Sequence, residues 1–219
     1  MIRHPRRSTP RSPVAPVVEP GGLVLASGSP RRRELLATLG LTFIVDTADI
    51  DETEYAGEDP TSYVVRLART KAEHVAARHA PGTIVIGADT TVELNGSILG
   101  KPTDPVHAGS MLAALSGRTH RVHTGMAVVM AGSAPDPWVR LTTTDVTFRM
   151  LDEATIERYV ATGEPMDKAG AYAIQGFGGA LVARVSGNVQ NVVGLPLADL
   201  LANPLVDSLA QAVGVTPVI

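Results

Sequence analysis

The residue in this sequence best placed to do chemistry is Asp89. It closes the apolar run Thr83–Ala88, which reads as a strand in the middle of a sheet. Ligand sites in open α/β sheets gather outside the carboxyl ends of strands. A carboxylate there can hold a metal ion or activate water. Preceding Thr90, it also suits an Asx turn. A second carboxylate pair, Asp51 and Glu52, lies inside the acidic run Asp49–Glu54. Crowded carboxylates repel one another, and a divalent cation relieves that. Acidic runs are also commonly solvated loops.

Cations that could oppose these groups are spread along the chain. In Ser27-Gly28-Ser29-Pro30-Arg31-Arg32 a strand gives way to a helix start. A helix N-terminus presents free N–H groups and a positive dipole end, which suits phosphate. Ser27 and Ser29 add hydroxyls, and Arg31 and Arg32 add forked cations. Three arginines in a first turn oppose the helix dipole, which suggests an anion; a capped helix with solvated arginines is the plainer alternative. Lys71 falls on the apolar stripe of its own helix, between Leu67 and Val75, where it either snorkels to the rim or points into a site. Gly96–Lys101 resembles part of a phosphate-binding P-loop, but it is one residue short. Pro102 also stands where the magnesium-binding hydroxyl belongs. The P-loop is rejected and Lys101 kept as a cation. The segment 164–179 is Gly-rich and carries Asp167, Lys168 and Gln175. Gln175 offers both donor and acceptor, as reading a base edge requires. His107, His120 and His123 lack any standard metal-ligand spacing and receive no role.

These residues need a frame to converge. Leu23–Ala26 and Phe43–Val45 read as strands. Ser29-Pro30, Asp59-Pro60, Asp104-Pro105 and Leu151-Asp152 open four helices, the first three as cap-plus-proline pairs. Leu35, Leu36 and Leu39 give the first helix an apolar face, and Gly40 ends it. Val64, Leu67, Ala68, Ala72 and Val75 make the buried stripe of the second. Met111, Leu112 and Leu115 face inward from the third. Val92–Leu94 and Ile98–Leu99 flank Asn95-Gly96, a hairpin signal. Two long β-rich stretches near 119–130 and 138–149 are joined through Ala131–Pro137. Ala180–Val185 reads as a strand, and a last helix includes Leu197, Leu200 and Leu201. Alternating helices and strands with added hairpins predict an α/β fold with a mixed twisted sheet.

Bulk properties bound the rest. The 219 residues hold no cysteine, which excludes disulfides, thiolate metal sites and cysteine nucleophiles. No apolar run approaches the roughly 20 residues of a membrane span. A net charge of −3 argues against a nucleic-acid-binding surface, while a small anion can still answer to local charge in a cleft. Residues 1–22 carry Arg3, Arg6, Arg7 and Arg11 with five prolines, and read as a disordered tail without the apolar core of a secretory signal. Residues 23–219 then form one domain.

Taken in order, Leu25–Arg32, Lys71-Ala72, Gly87–Thr90, Gly100-Lys101-Pro102, Leu115-Ser116-Gly117, Glu164–Gly179 and Gly194-Leu195-Pro196 resemble the Maf family of nucleotide pyrophosphatases. The resemblance runs from about residue 23 to 201; family chains usually begin near Leu23, so the Arg-rich tail departs from it. It implies a Maf/inosine-triphosphatase-like fold with two lobes around a central cleft, a cytoplasmic homodimer, and hydrolysis of a nucleoside triphosphate to monophosphate and pyrophosphate. It implies Asp89, Lys71, Lys101 and Glu52 as catalytic residues, with Mg²⁺ or Mn²⁺ held by Asp89 and the pair Asp51 and Glu52. Ser27, Ser29, Arg31, Arg32, Thr90, Lys168 and Gln175 are then substrate-binding. Arg31, Thr90 and Gln175 match the subgroup acting on dTTP and UTP. The alternatives are a pyrophosphatase for a modified or purine nucleotide such as 7-methyl-GTP, and a non-catalytic nucleotide-binding regulator of septum formation. A phosphotransferase is disfavoured by the missing P-loop.

Overall fold

The computed structural model describes residues 21–133, 136–212 and 214. The tail expected at 1–22 therefore lies outside the described residues, apart from Gly21 and Gly22; the Gly22 carbonyl accepts from the amide of Ile84 at 2.9 Å.

Seven strands form one mixed sheet. They are β1 (Leu23–Ala26), β2 (Phe43–Val45), β3 (Ile84–Leu94), β4 (Ser97–Leu99), β5 (Thr119–Met130), β6 (Trp138–Phe148) and β7 (Val182–Ser186). Their order is β2-β1-β3-β5-β6-β7, with β4 beside β3. β2, β1 and β3 are parallel, and every other pairing is antiparallel. β1 is buried at all four positions, as a parallel strand covered on both faces must be.

The helices are α1 (Pro30–Ala37), α2 (Pro60–Ala76), α3 (Pro105–Leu115), α4 (Glu153–Ala161), α5 (Val189–Val193), α6 (Leu197–Leu201) and α7 (Pro204–Ala212). Ser29, Asp59 and Asp104 cap the first three, each followed by proline, as their sequences predict. Asp59 alone accepts from the amides of Thr61 and Ser62 at 3.0 and 3.1 Å.

Three apolar clusters hold the layers together. Leu25, Ile86, Ala88 and Met126 meet Leu36, Leu195, Leu200 and Val206 on one face. Val24, Val85 and Ala127 meet Ala68, Ala72 and Val75 of α2 on the other. Farther along the long strands, Val92, Val122, Val146 and Phe148 meet Leu112 and Leu115 of α3 and Tyr159 of α4. Helical layers thus cover both faces of one continuous sheet, and a third group of helices packs farther along its long strands.

The sequence reading differs from the structure at three places. β3 does not stop at Ala88. It continues through Asp89, Thr90 and Thr91, which pair with Gly125, Thr124 and His123 of β5. The polar trio interrupts the apolar run, yet its side chains find partners, so the strand persists. Asp89 therefore sits mid-strand and not in an Asx turn. The strand expected at Ala180–Val185 begins at Val182, because 177–181 close a 3-10 turn. The one expected C-terminal helix is three short ones.

Candidate active site

The cleft encloses about 480 Å³ and is lined from the β1–α1 turn, α1, α2, β3, β5, α5 and the segments around 52, 100 and 167–175. Its floor is an ion triad. Lys71, only 7% exposed on α2, places Nζ 2.6 Å from Oδ1 of Asp89 and 2.7 Å from Oε1 of Glu52. The stripe position of Lys71 thus reflects a lysine aimed inward, with its stem packed along the helix–sheet contact.

From the β1–α1 turn, Ser27, Ser29, Arg31 and Arg32 line the cleft; from the β4–α3 segment comes Lys101; from the Gly-rich strap come Lys168 and Gln175; and Thr90 follows Asp89. Asp51 is not among the lining residues. Its Oδ1 accepts from the amide and hydroxyl of Thr53 at 2.9 and 2.6 Å, and these bonds hold its carboxyl below the usual range. Of the acidic pair, Glu52 alone is ion-paired with Lys71, while Asp51 is turned to Thr53.

Arg32 lines the cleft but is largely engaged with the protein itself. Its Nε donates to the carbonyl of Gly194 at 2.9 Å, Nη1 to Ser27 Oγ at 3.0 Å and to the carbonyl of Ala88 at 2.9 Å, and Nη2 to Thr90 Oγ1 at 2.9 Å. Burial pulls this guanidinium below its ordinary value, and Asp89 opposes that shift. With four of its five N–H groups committed to protein, Arg32 braces the site, while Arg31 is the arginine of that turn left to meet an anion.

Two supports belong to none of the motifs singled out in the sequence. The loop bearing Glu52 is clamped by Arg66, which donates to both oxygens of Glu58 at 2.6 Å and to the carbonyl of Thr53 at 3.1 Å. The same guanidinium stacks 3.9 Å from the Tyr55 ring centre. Tyr63, two turns before Lys71 on the same helix face, lines the cleft and donates to the carbonyl of Glu52 at 3.0 Å. Burial, then Asp89 and Glu52, push its phenol up to about 12. The spacing 63, 67, 71 was the available signal.

The strap is organised by Glu164. Its Oε1 accepts from Tyr159 Oη at 2.8 Å and the Gly178 amide at 2.9 Å, and its Oε2 from the Phe177 amide at 3.1 Å. Gly176, at φ 129°, has no room for a side chain: an added Cβ would meet Glu164 Oε2 at 2.5 Å. These contacts set where Gln175 stands.

Behind the cleft, His120 is 2% exposed and its Nε2 meets Tyr172 Oη at 2.9 Å. Its Nδ1 has no partner, and burial pulls the imidazole down to about 4. An ordinary histidine protonates near 6.5, so the unfolded chain gains a proton at a pH where the folded one does not. The associated stability is intact above about pH 6.5 and drains away as the pH falls towards 4, by about 3 kcal/mol. Urea denaturation at pH 7 and pH 4.5 should show His120→Phe losing less stability on acidification than wild type. Equal losses would clear His120 of the effect.

Taken together, fold and site define an α/β protein with an anion-binding cleft built around a lysine and two carboxylates. The Maf-like protein family matches residues 22–203, and the chain belongs to that family. It is 57% identical over 180 residues to the dTTP/UTP pyrophosphatase of Myxococcus xanthus, covering 82% of this chain and 89% of that one. It is 55% identical over 178 residues to the dTTP/UTP pyrophosphatase of Moorella thermoacetica (81% and 91% covered). The dTTP/UTP pyrophosphatase of Escherichia coli O157:H7 is 52% identical over 184 residues (83% and 92%). Among solved structures, a HAM1 protein from Coxiella burnetii aligns with a TM-score of 0.49 at 21% identity, over 83% of this chain and 98% of that one.

Proposed function

We propose that this protein is a nucleoside triphosphate pyrophosphatase that hydrolyses dTTP and UTP to the monophosphate and pyrophosphate. The observation that carries the reading is the triad Lys71–Asp89–Glu52 at the floor of a cleft that also holds Arg31, Lys101 and Lys168. The names of the relatives support the same activity and substrates.

A triphosphate brings several negative charges, and the cleft answers with point-charge lysines and the fork of Arg31. Ser27 and Ser29 offer hydroxyls beside them. Asp89 Oδ1 is taken by Lys71, while Oδ2 has no hydrogen-bond partner among the described residues. That oxygen orients a water for in-line attack on the α-phosphorus and accepts its proton. The new bond is water oxygen to phosphorus, and the bond broken is the α–β bridge. The leaving group is pyrophosphate, and no covalent intermediate arises. Gln175 reads the pyrimidine from the strap.

Among the described residues no three His, Cys, Asp or Glu side chains cluster as a closed metal site. Two hard carboxylates that share one cation, Lys71 Nζ, still fit Mg²⁺ or Mn²⁺, which commonly takes one or two carboxylates and completes its shell with phosphate oxygens and water. Asp89 and Glu52 would hold it, and it would supply charge neutralisation at the phosphates. None of the described helices is long and apolar enough to cross a membrane. The reading places the protein in the cytoplasm, where its substrates are.

The test is product identity. Purified protein with Mg²⁺ or Mn²⁺ should release pyrophosphate, and not orthophosphate, from dTTP and UTP in preference to GTP, ATP and 7-methyl-GTP. Release of orthophosphate, or binding without turnover, would replace this reading with a phosphatase or a nucleotide-binding regulator.

A further inference from the structure

Thr90 and Thr124 are direct cross-strand neighbours on β3 and β5, and their hydroxyls lie 2.9 Å apart. Distance alone does not say which one donates. The wider network does. Thr124, fully buried, donates through Oγ1 to the main-chain carbonyl of Asn191 at 3.0 Å. A carbonyl only accepts, and a hydroxyl owns a single proton, so Thr124 has none left for Thr90. Thr90 must therefore be the donor of the pair. Its oxygen meanwhile accepts from Arg32 Nη2 at 2.9 Å, which fills one of its two lone pairs. Thr90 lines the cleft, and what it can still offer there is one lone pair and no proton.

The far end of the relay is fixed. Asn191 is fully buried on α5, and its Nδ2 donates to the Val122 carbonyl at 2.9 Å and to Thr144 Oγ1 at 3.0 Å. The carbonyl that consumes the Thr124 proton cannot swing away without breaking both bonds. Thr124, Thr144 and Asn191 are not among the residues that line the cleft.

We propose that Thr124 is a specificity-determining positioning residue: by committing the Thr90 proton, it makes Thr90 an obligate acceptor that takes the N3–H of thymine or uracil and turns away the bare N3 of cytosine. The inference rests on the reading above, a pyrophosphatase acting on dTTP and UTP, and deepens it. Uracil and cytosine have nearly the same size and shape, so a steric pocket separates them poorly. Polarity separates them well, because a cytosine N3 set against Thr90 leaves two acceptors facing each other unpaired. An unpaired buried polar group of that kind is worth about 10-fold to 100-fold in kcat/KM.

The experiment compares kcat/KM for UTP and CTP in wild type, Thr124→Val, Thr124→Ser and Thr90→Val. Wild type should favour UTP by about 10-fold to 100-fold. Thr124→Val frees the Thr90 proton to turn into the cleft. The UTP:CTP ratio should then fall about 10-fold or more, largely by a gain with CTP, with kcat for UTP held within about threefold. Thr124→Ser keeps the relay and should keep the ratio. A purely structural Thr124 would lower both substrates together and leave the ratio alone, which would overturn the proposal. Should Thr124→Val not fold, Thr90→Val removes the acceptor itself and must also collapse the ratio; an unchanged ratio there overturns the proposal equally. A wild type that turns over UTP and CTP alike defeats the relay and leaves the pyrophosphatase reading standing. Failure to hydrolyse UTP at all defeats both.

Discussion

Asp89→Asn should yield a folded protein whose kcat for dTTP is lower by at least about 100-fold. The substitution keeps the size of the side chain and removes its charge and basicity. Asp89 is 8% exposed in the middle of β3, and its backbone is held in register with Gly125 of β5 independently of its side chain, so the strand should survive. What changes is the oxygen aimed at water. A neutral amide cannot accept the proton of the attacking water, and general-base help is worth about 10²–10⁴-fold. It also leaves Lys71 with Glu52 as its sole charged partner. If the loss appears in kcat while KM for dTTP stays within a few-fold, the carboxylate acts in the transition state and not in holding the nucleotide. Circular dichroism and a urea midpoint near wild type would show that the loss is chemical. Near-normal turnover in a folded Asp89→Asn protein would remove Asp89 from the mechanism and reopen the reading of the family fold as a nucleotide-binding regulator.

That Asp89 could be singled out from the sequence, while its setting was partly misread, shows where sequence reasoning holds. The starts of α1, α2 and α3 were legible because capping is local: Ser29-Pro30, Asp59-Pro60 and Asp104-Pro105 carry the signal within two residues. The parallel core strands were legible because burial on both faces leaves an unbroken apolar run. β3 beyond Ala88 was not, because the polarity of 89–91 is resolved by partners distant in sequence, Lys71 for Asp89 and Thr124 for Thr90. The choice between Asp51 and Glu52 was equally out of reach. Adjacent residues on an extended segment point to opposite sides, and the side that faces Lys71 is set by Arg66 and Tyr63 gripping the loop. The arginine pair divides in a way the sequence does not show, for a related reason. Arg31 and Arg32 look alike in the first turn of α1, but the second is drawn inward by carbonyls of Ala88 and Gly194 that no local pattern announces. The short α5 and α6, at five residues each, are below the length at which a helical period can be seen. The types of the site residues were readable, and their division into those that touch substrate and those that hold them was not.

Gly87→Ala should be the most damaging single methyl that can be added near the site. A Cβ at Gly87 would stand 2.3 Å from the carbonyl oxygen of Ala68 and 2.8 Å from the amide nitrogen of Ala72. Both are backbone atoms of α2, so no rotamer change relieves the contact, and the helix itself must move. Gly125, on the neighbouring strand, meets the same helix one turn earlier, with the Val64 carbonyl oxygen 2.4 Å from its added Cβ. The two glycines together let α2 lie directly on the backbones of β3 and β5. Overpacking costs about 1–3 kcal/mol and sometimes more, and a contact between fixed backbone atoms should reach at least the upper end. The urea midpoint should fall by the corresponding amount. Activity offers a separate readout. Ala68 and Ala72 bracket Lys71 in sequence, and Asp89 lies two residues beyond Gly87, so the methyl acts on the contact that sets the 2.6 Å Lys71–Asp89 distance. Lifting α2 by roughly 1 Å to restore van der Waals separation would pull Nζ from the carboxylate. Misplacement on that scale can cost about 10²-fold in rate. The folded fraction of Gly87→Ala should therefore turn over dTTP far more slowly than wild type, even at low temperature where it is fully folded. Adding Ala72→Gly removes the side-chain contact at 2.9 Å and leaves both backbone contacts, so it should rescue little. A Gly87→Ala protein as stable and as active as wild type would mean that α2 can shift freely, and that the lysine–carboxylate geometry is not set by close packing of helix on sheet.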